Sequence, residues 1–167
     1  MDKNTWALVL FSHGSLLCGA GCALEAHAAR LYATGHYVAV EPGYLNYSEP
    51  TFEQAVDRCV ARGARRILVL PYFLVPGRFV TQDLPAALDR IKAAYTGVEF
   101  TVAAPIGFDG LIADAVLELA RGASPLADRL GRALGIPDAC RALPACPLYG
   151  SVYCPVGASE AGAGSGR

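Results

Sequence analysis

A single histidine stands at the end of a short apolar run near the start of the chain. The run Ala7–Phe11 is followed by Ser12, and then by His13, Gly14 and Ser15. This pattern predicts a buried strand that carries one imidazole to the end of a sheet, where open α/β folds bind their ligands. A neutral imidazole binds divalent metals and accepts protons near neutral pH. His13 is therefore the first candidate for metal or proton chemistry.

Later apolar runs also end in residues that do more than make turns. The second run is followed by Asn46, and the third by Tyr72, Phe73, Arg78 and Phe79. An apolar cleft with a few polar groups suits a flat, hydrophobic, anionic ligand, and the planar guanidinium of Arg78 suits a carboxylate. The alternatives are that Tyr72 and Phe73 belong to the core and that Arg78 is a solvated loop charge. Phosphate-binding and serine-hydrolase motifs are absent from these positions.

Alternating elements place these residues at one edge of a sheet. Strands are predicted over Trp6–Ser12, Tyr37–Leu45, Arg66–Phe73 and Glu99–Ala104, and helices over Ala23–Tyr32, Thr51–Arg62, Gln82–Ala94 and Gly110–Arg121. Strands separated by helices of this length indicate right-handed βαβ units. The predicted fold is an open parallel four-stranded sheet with helices on both faces. Ser48 or Thr51 is expected to cap the second helix, and Asp83 to begin the third.

Composition limits the classes of partner and the location. The chain has 167 residues, of which 53% are hydrophobic and 17% charged, and its net charge is −1. This balance argues against a nucleic-acid partner. No apolar stretch is long enough to span a bilayer, and the start of the chain does not resemble a signal peptide. We expect a cytoplasmic protein.

The chain divides into one domain and an extension. Residues 1–121 carry all the strand and helix patterns described above, residues 122–156 form a Cys/Pro-rich extension, and residues 157–167 are predicted to be a disordered tail. A last short helix is expected over Leu126–Leu134.

Six cysteines are many for a chain of this size in a reducing compartment, where they act as thiols or metal ligands more often than as disulfides. Cys59 lies on a helical pattern and is expected in the core. The remaining cysteines form a candidate iron–sulfur or metal-binding set, namely Cys18, Cys22, Cys140, Cys146 and Cys154.

Four segments, each at a predicted strand end, resemble the short CbiX-type sirohydrochlorin chelatases. The segments are His13-Gly14-Ser15, Tyr44-Leu45 through Glu49-Pro50-Thr51-Phe52, Pro71-Tyr72-Phe73-Leu74, and Gly77-Arg78 through Asp83-Leu84-Pro85. The resemblance covers roughly residues 6–120. It implies a chelatase-like, flavodoxin-type fold, a homodimer, and insertion of Co²⁺, Ni²⁺ or Fe²⁺ into sirohydrochlorin.

The resemblance also implies roles for individual residues. His13 would bind the incoming metal and accept a pyrrole proton, and Arg78 would hold a carboxylate of the macrocycle. Ser15 and Asn46 would belong to the substrate-binding site. The apolar wall of that site would be formed by Tyr72, Phe73 and Phe79.

Two positions depart from the family pattern. The family usually has a second histidine where this chain has Phe79, and often a glutamate where it has Asn46. Neither replacement acts as a base. Three hypotheses follow: a chelatase that uses His13 with other groups, a protein that binds a tetrapyrrole or metal without catalysis, and an enzyme for a related macrocycle. An iron–sulfur protein using the cysteines is a further alternative.

Overall fold

Four strands alternate with four α-helices in the computed structural model of the chain, which describes residues 5–15, 20–107 and 109–122. The strands are β1 (Trp6–Ser12), β2 (Ala39–Tyr44), β3 (Arg66–Pro71) and β4 (Glu99–Val102). The helices are α1 (Ala20–Tyr32), α2 (Phe52–Ala61), α3 (Leu84–Ala94) and α4 (Gly110–Arg121). This order confirms the predicted α/β alternation.

The four strands form one parallel sheet in the order β2-β1-β3-β4. Strand β1 is central, and its residues Ala7–Phe11 are all buried. From β1 the chain crosses to β2 on one side, and from β2 it crosses back to β3 on the other. The strand order therefore reverses between β1 and β3, and ligands of open α/β sheets bind at the carboxyl ends of strands beside such a point.

Two apolar cores cover the two faces of the sheet, which confirms helices on both faces. One core joins Phe11 and Ile67 to Phe52 of α2 and Leu84 of α3. The second core, on the opposite face, joins Leu8, Leu10 and Val40 to Leu24 and Ala28 of α1. Helix α4 buries none of its side chains among the described residues.

Helix α2 begins with a reciprocal cap. Thr51 Oγ1 accepts a hydrogen bond from the backbone N–H of Gln54, and Gln54 Oε1 accepts one from the backbone N–H of Thr51. Glu53 lies in the first turn, where its negative charge interacts favourably with the positive end of the helix dipole. Of the two predicted caps, Thr51 is the one used, because the hydroxyl of Ser48 is bonded to Ser15.

The start of the third helix differs in part from the prediction. A π-helical turn, Phe79–Asp83, leads directly into α3. The backbone N–H of Leu84 bonds to the carbonyl of Phe79, so the helical ladder passes through Asp83. Asp83 has helical backbone angles and makes no capping hydrogen bond. Helix α3 therefore begins directly after Asp83, as predicted, but the Asp83 carboxylate does not cap it and lies near the guanidinium of Arg78 instead.

Other element ends shift by a few residues. Helix α1 begins three residues earlier than expected, and β2, β3 and β4 are shorter than expected. Within the described ranges, no helix combines the length and apolarity required to cross a bilayer. The predicted helix Leu126–Leu134 and the extension after residue 122 lie outside the described residues.

Candidate functional site

His13 follows the last residue of β1 and is half-buried. The hydrogen-bonded ladder between β1 and β2 continues past both strands to reach it. The N–H of Leu45 donates to the carbonyl of Ser12, and the N–H of Asn46 donates to the carbonyl of His13, each at 2.9 Å. The backbone that carries the imidazole is thereby fixed to the chain that leaves β2.

Gly14 allows the loop after β1 to lie close to the backbone of Asn46. Its φ is +89°, and a Cβ placed there would lie 1.8 Å from the carbonyl oxygen of Asn46. Only glycine satisfies both the positive φ and the close approach. Beyond it, Ser48 Oγ accepts from the N–H of Ser15 at 2.9 Å and donates to the carbonyl of Ser15 at 3.1 Å. The loops after β1 and β2 are interlocked.

Two aromatic rings flank the imidazole of His13. The Phe79 ring lies 4.2 Å from it between centroids, tilted by 38°. The Tyr47 ring lies 5.4 Å away and meets it edge-on at 66°. Behind Phe79, the Phe73 ring stacks at 6.0 Å. The imidazole therefore has limited freedom to rotate.

The hydrogen bond of the ring assigns its tautomer. Nδ1 of His13 lies 3.1 Å from the carbonyl oxygen of Gly14. Because a carbonyl only accepts, this bond favours the neutral tautomer that carries its proton on Nδ1 and its lone pair on Nε2. Nε2 is thus the atom that can bind a metal ion or accept a proton.

An open pocket of about 440 Å³ lies at this edge of the sheet. Seven described residues line it, namely His13, Leu45, Asn46, Tyr47, Arg78, Phe79 and Asp83. Nε of Arg78 lies 3.7 Å from Oδ2 of Asp83, and the Arg78 side chain is 75% exposed. The pocket thus combines an imidazole, a guanidinium and a carboxylate with aromatic walls. Such a site can attract a cation and an anionic ligand together.

The structure brings four of the predicted site residues to this pocket: His13, Asn46, Arg78 and Phe79. Ser15 lies in the adjoining loop, bonded to Ser48. Phe73 packs behind Phe79 and against the α2–α3 core.

Tyr72 lies on the opposite face of the sheet, packed against the α1 core, with its ring 5.7 Å from that of His27. Consecutive residues at a strand end point to opposite faces, which separates Tyr72 from Phe73.

Sequence reasoning assigned no site role to Leu45, Tyr47 or Asp83. Tyr47 carried one usable signal, since it is an aromatic residue next to Asn46 in a strand-end loop. The role of Asp83 was hidden by the residues after it, because an Asp followed closely by Pro85 is typical of a helix start.

The structure does not test the hypothesis that the cysteines bind an iron–sulfur cluster or a metal ion. Cys22 lies on α1, while Cys18, Cys140, Cys146 and Cys154 are outside the described residues. Among the described residues, no group of three or more His, Cys, Asp or Glu side chains is placed to hold a metal ion.

Cys59 is fully buried in the core, as predicted. Burial raises the pKa of the Cys59 thiol to about 12, and the nearby Glu41 carboxylate adds to the rise while Arg62 opposes it. A thiol in this state is a packing residue, not a nucleophile.

The chain is similar in sequence to sirohydrochlorin chelatases. The chain is 30% identical over 109 residues to "Sirohydrochlorin ferrochelatase, chloroplastic" of Arabidopsis thaliana, covering 65% of this chain and 48% of the relative. It is 29% identical over 140 residues to a sirohydrochlorin cobaltochelatase of Methanococcus aeolicus, covering 70% of this chain and 98% of the relative. The chain thus spans about half the length of the plant protein and nearly all of the archaeal one.

Solved structures agree with the fold. A cobalamin (vitamin B12) biosynthesis CbiX protein from Marinobacter aquaeolei superposes with a TM-score of 0.59 at 26% identity, covering 70% of this chain and 95% of that one. The sirohydrochlorin chelatase SirB from Bacillus subtilis in complex with cobalt gives a TM-score of 0.66 at 26% identity, covering 70% of this chain and 50% of that one. The CbiX family model matches residues 7–123, which include all described strands and helices except Trp6 of β1, and all seven described pocket residues. The chain belongs to the CbiX family.

Proposed function

We propose that this protein inserts a divalent metal, Co²⁺, Ni²⁺ or Fe²⁺, into sirohydrochlorin or a closely related tetrapyrrole. The observation that carries the proposal is the pocket at the carboxyl end of β1, which His13 lines together with Arg78, Asp83 and the aromatic residues Tyr47 and Phe79. Relatives named as sirohydrochlorin ferrochelatase and cobaltochelatase support it. The metal is a substrate of this reaction.

Metal insertion needs acceptors for two protons. Two pyrrole N–H bonds break, their electron pairs form bonds to the metal, and two protons leave the macrocycle. In this proposal, Nε2 of His13 holds the arriving metal ion and then accepts one proton, which makes the ring an imidazolium. Water or another pocket group takes the second proton. The pocket residues Phe79 and Asn46 supply no base.

The other pocket groups bind and orient the macrocycle. The guanidinium of Arg78 is exposed at the pocket and suits a side-chain carboxylate of the tetrapyrrole through its planar fork. The apolar surfaces of Phe79 and Leu45 suit its flat conjugated ring. Holding the ring beside His13 converts a slow encounter with the metal into a local reaction.

A direct assay tests the proposal. Protein is mixed with metal-free sirohydrochlorin and Co²⁺, Ni²⁺ or Fe²⁺, and insertion is followed by visible absorbance. We expect insertion above the spontaneous rate in the parent, and a loss of about 100-fold or more in His13→Ala because a base and ligand disappear together. His27→Ala, which removes an exposed imidazole on α1, should insert metal at the parent rate. Equal rates in His13→Ala and the parent would contradict the role of His13.

One observation favours a second candidate, which is tetrapyrrole binding without insertion. The Phe79 ring packs on the imidazole at 4.2 Å, so an apolar group, and not a second base or metal ligand, lies against His13 there. In that case the macrocycle binds the parent protein while the insertion rate equals the spontaneous rate for all three metals.

We further propose a cytoplasmic homodimer in which residues 1–121 form the chelatase-like domain, residues 122–156 an extension and residues 157–167 a tail. The end of the family match at residue 123 supports the first boundary.

A further inference from the structure

Tyr47 sits at the centre of an unusual turn beside the pocket. The N–H of Ser48 donates to the carbonyl of Asn46 at 2.8 Å, which closes a turn of only three residues. The φ of Tyr47 is +61°, a value that residues with a side chain rarely adopt. A three-residue turn with positive φ at its centre is a γ-turn of the rare, strained kind.

Both ends of this turn are held by the loop that carries His13. The N–H of Asn46 bonds to the carbonyl of His13, and the hydroxyl of Ser48 bonds to the backbone of Ser15. The turn therefore cannot relax by moving away from the pocket. Its geometry presents the Tyr47 side chain at the pocket, next to the imidazole of His13.

Packing among the described residues does not explain a tyrosine here. The Tyr47 side chain is 63% exposed, so most of its apolar surface faces solvent. A glycine would adopt the same φ without strain. Strained residues with a large exposed side chain concentrate where the side chain meets a ligand.

We propose that Tyr47 is a substrate-binding residue whose ring packs against the face or edge of the tetrapyrrole at the pocket mouth. The inference rests on the proposed function, because it takes the flat conjugated macrocycle as the ligand. The Tyr47 and Phe79 rings both lie against the imidazole of His13, so a macrocycle held against Tyr47 is also held next to His13. The ring of Tyr47, not its hydroxyl, supplies the contact.

The test compares binding and stability in the same variants. Binding of metal-free sirohydrochlorin is measured by absorbance titration, and thermal unfolding by circular dichroism. Tyr47→Gly should unfold at the same temperature as the parent or a higher one, because the backbone strain is relieved, yet bind roughly threefold to tenfold more weakly. Tyr47→Phe should bind within about twofold of the parent. Tyr32→Ala, which removes a half-exposed tyrosine on α1, is the matched control and should bind like the parent.

Three results would overturn the inference: parent-like affinity in Tyr47→Gly, equal losses of affinity in Tyr47→Phe and Tyr47→Gly, or a lower unfolding temperature in Tyr47→Gly. If the parent itself does not bind sirohydrochlorin, the proposed function fails together with this inference. If the parent binds and inserts metal, His13→Ala does not insert it, and Tyr47→Gly matches the parent, only the inference about Tyr47 fails.

Discussion

At the scale of single residues, the pocket depends on backbone contacts as much as on side chains. His13 supplies the reactive nitrogen, but Gly14 allows its loop to lie against the carbonyl of Asn46. Gly14→Ala should destabilise the protein by about 1–3 kcal/mol more than Gly63→Ala does, because both have a φ near +90° but only position 14 is obstructed. Urea unfolding measures both variants.

Gly63 is a close control, since its φ is +88° and nothing lies within 4 Å of a Cβ placed there. The Gly63→Ala variant should therefore show only the cost of backbone strain and should keep its pocket. Equal losses of stability in the two variants would mean that the Asn46 carbonyl moves aside freely.

Cys59 gives a pH dependence with a defined sign. Its pKa is raised from 9.0 to about 12, so the folded state favours the protonated thiol. The stabilisation is fully present below the unfolded pKa and is lost as the pH rises towards the folded pKa. Between about pH 8 and about pH 11, the parent should lose unfolding free energy relative to Cys59→Ala. A constant difference between the two proteins over this range would show that the thiol ionises as easily in the folded state as in the unfolded state.

At the scale of elements, the N-terminus of helix α2 is determined by two capping side chains that are close in sequence. The reciprocal hydrogen bonds of Thr51 and Gln54 satisfy two backbone donors. Thr51→Ala should cost about 1 kcal/mol of stability, and Gln54→Ala a smaller amount. Because the two side chains form one cap, the double variant should lose less than the sum of the single losses. Strict additivity in chemical denaturation would argue that the two bonds act independently.

The order and type of the elements could be predicted because they depend on local patterns. Apolar runs such as Ile67–Leu70 and the helix-length segments between them are visible in the sequence, and the limits of β1 and α4 agree with prediction. The π-helical turn before α3 could not be predicted, because it depends on a backbone bond from Leu84 to Phe79. Sequence periodicity does not distinguish that bond from an ordinary helical one.

The candidate site was predictable to a similar extent. His13, Asn46, Arg78 and Phe79 were identified because each follows a strand, and parallel strands end at one edge. Tyr47 was missed because its position depends on a γ-turn that spacing does not reveal.

At the scale of the whole molecule, the pocket and the buried core of the described residues are formed by elements that precede α4. Pocket residues extend no further than Asp83, and the buried core no further than Ile91. Helix α4 leaves Leu111 and Leu119 exposed by 80% and 73%. Exposed apolar side chains of this size are common where proteins associate.

The proposed homodimer and domain boundary can be tested together. Sedimentation equilibrium should give twice the chain mass of 17.5 kDa for the full chain. A chain that ends after Gly122 should also form a dimer and unfold cooperatively, because the family match ends at residue 123. A monomeric full chain would contradict the dimer, and non-cooperative unfolding of the shortened chain would contradict the boundary.

The interlocked loops after β1 and β2 have a consequence for exchanging parts between members of the family. The bonds of Asn46 to His13 and of Ser48 to Ser15 couple two segments that are more than thirty residues apart in sequence. If only one of the two loops were replaced by that of a relative, its backbone would not be matched to the close approach between Gly14 and Asn46. The two loops therefore form one structural unit, and they should be grafted, recombined or redesigned together.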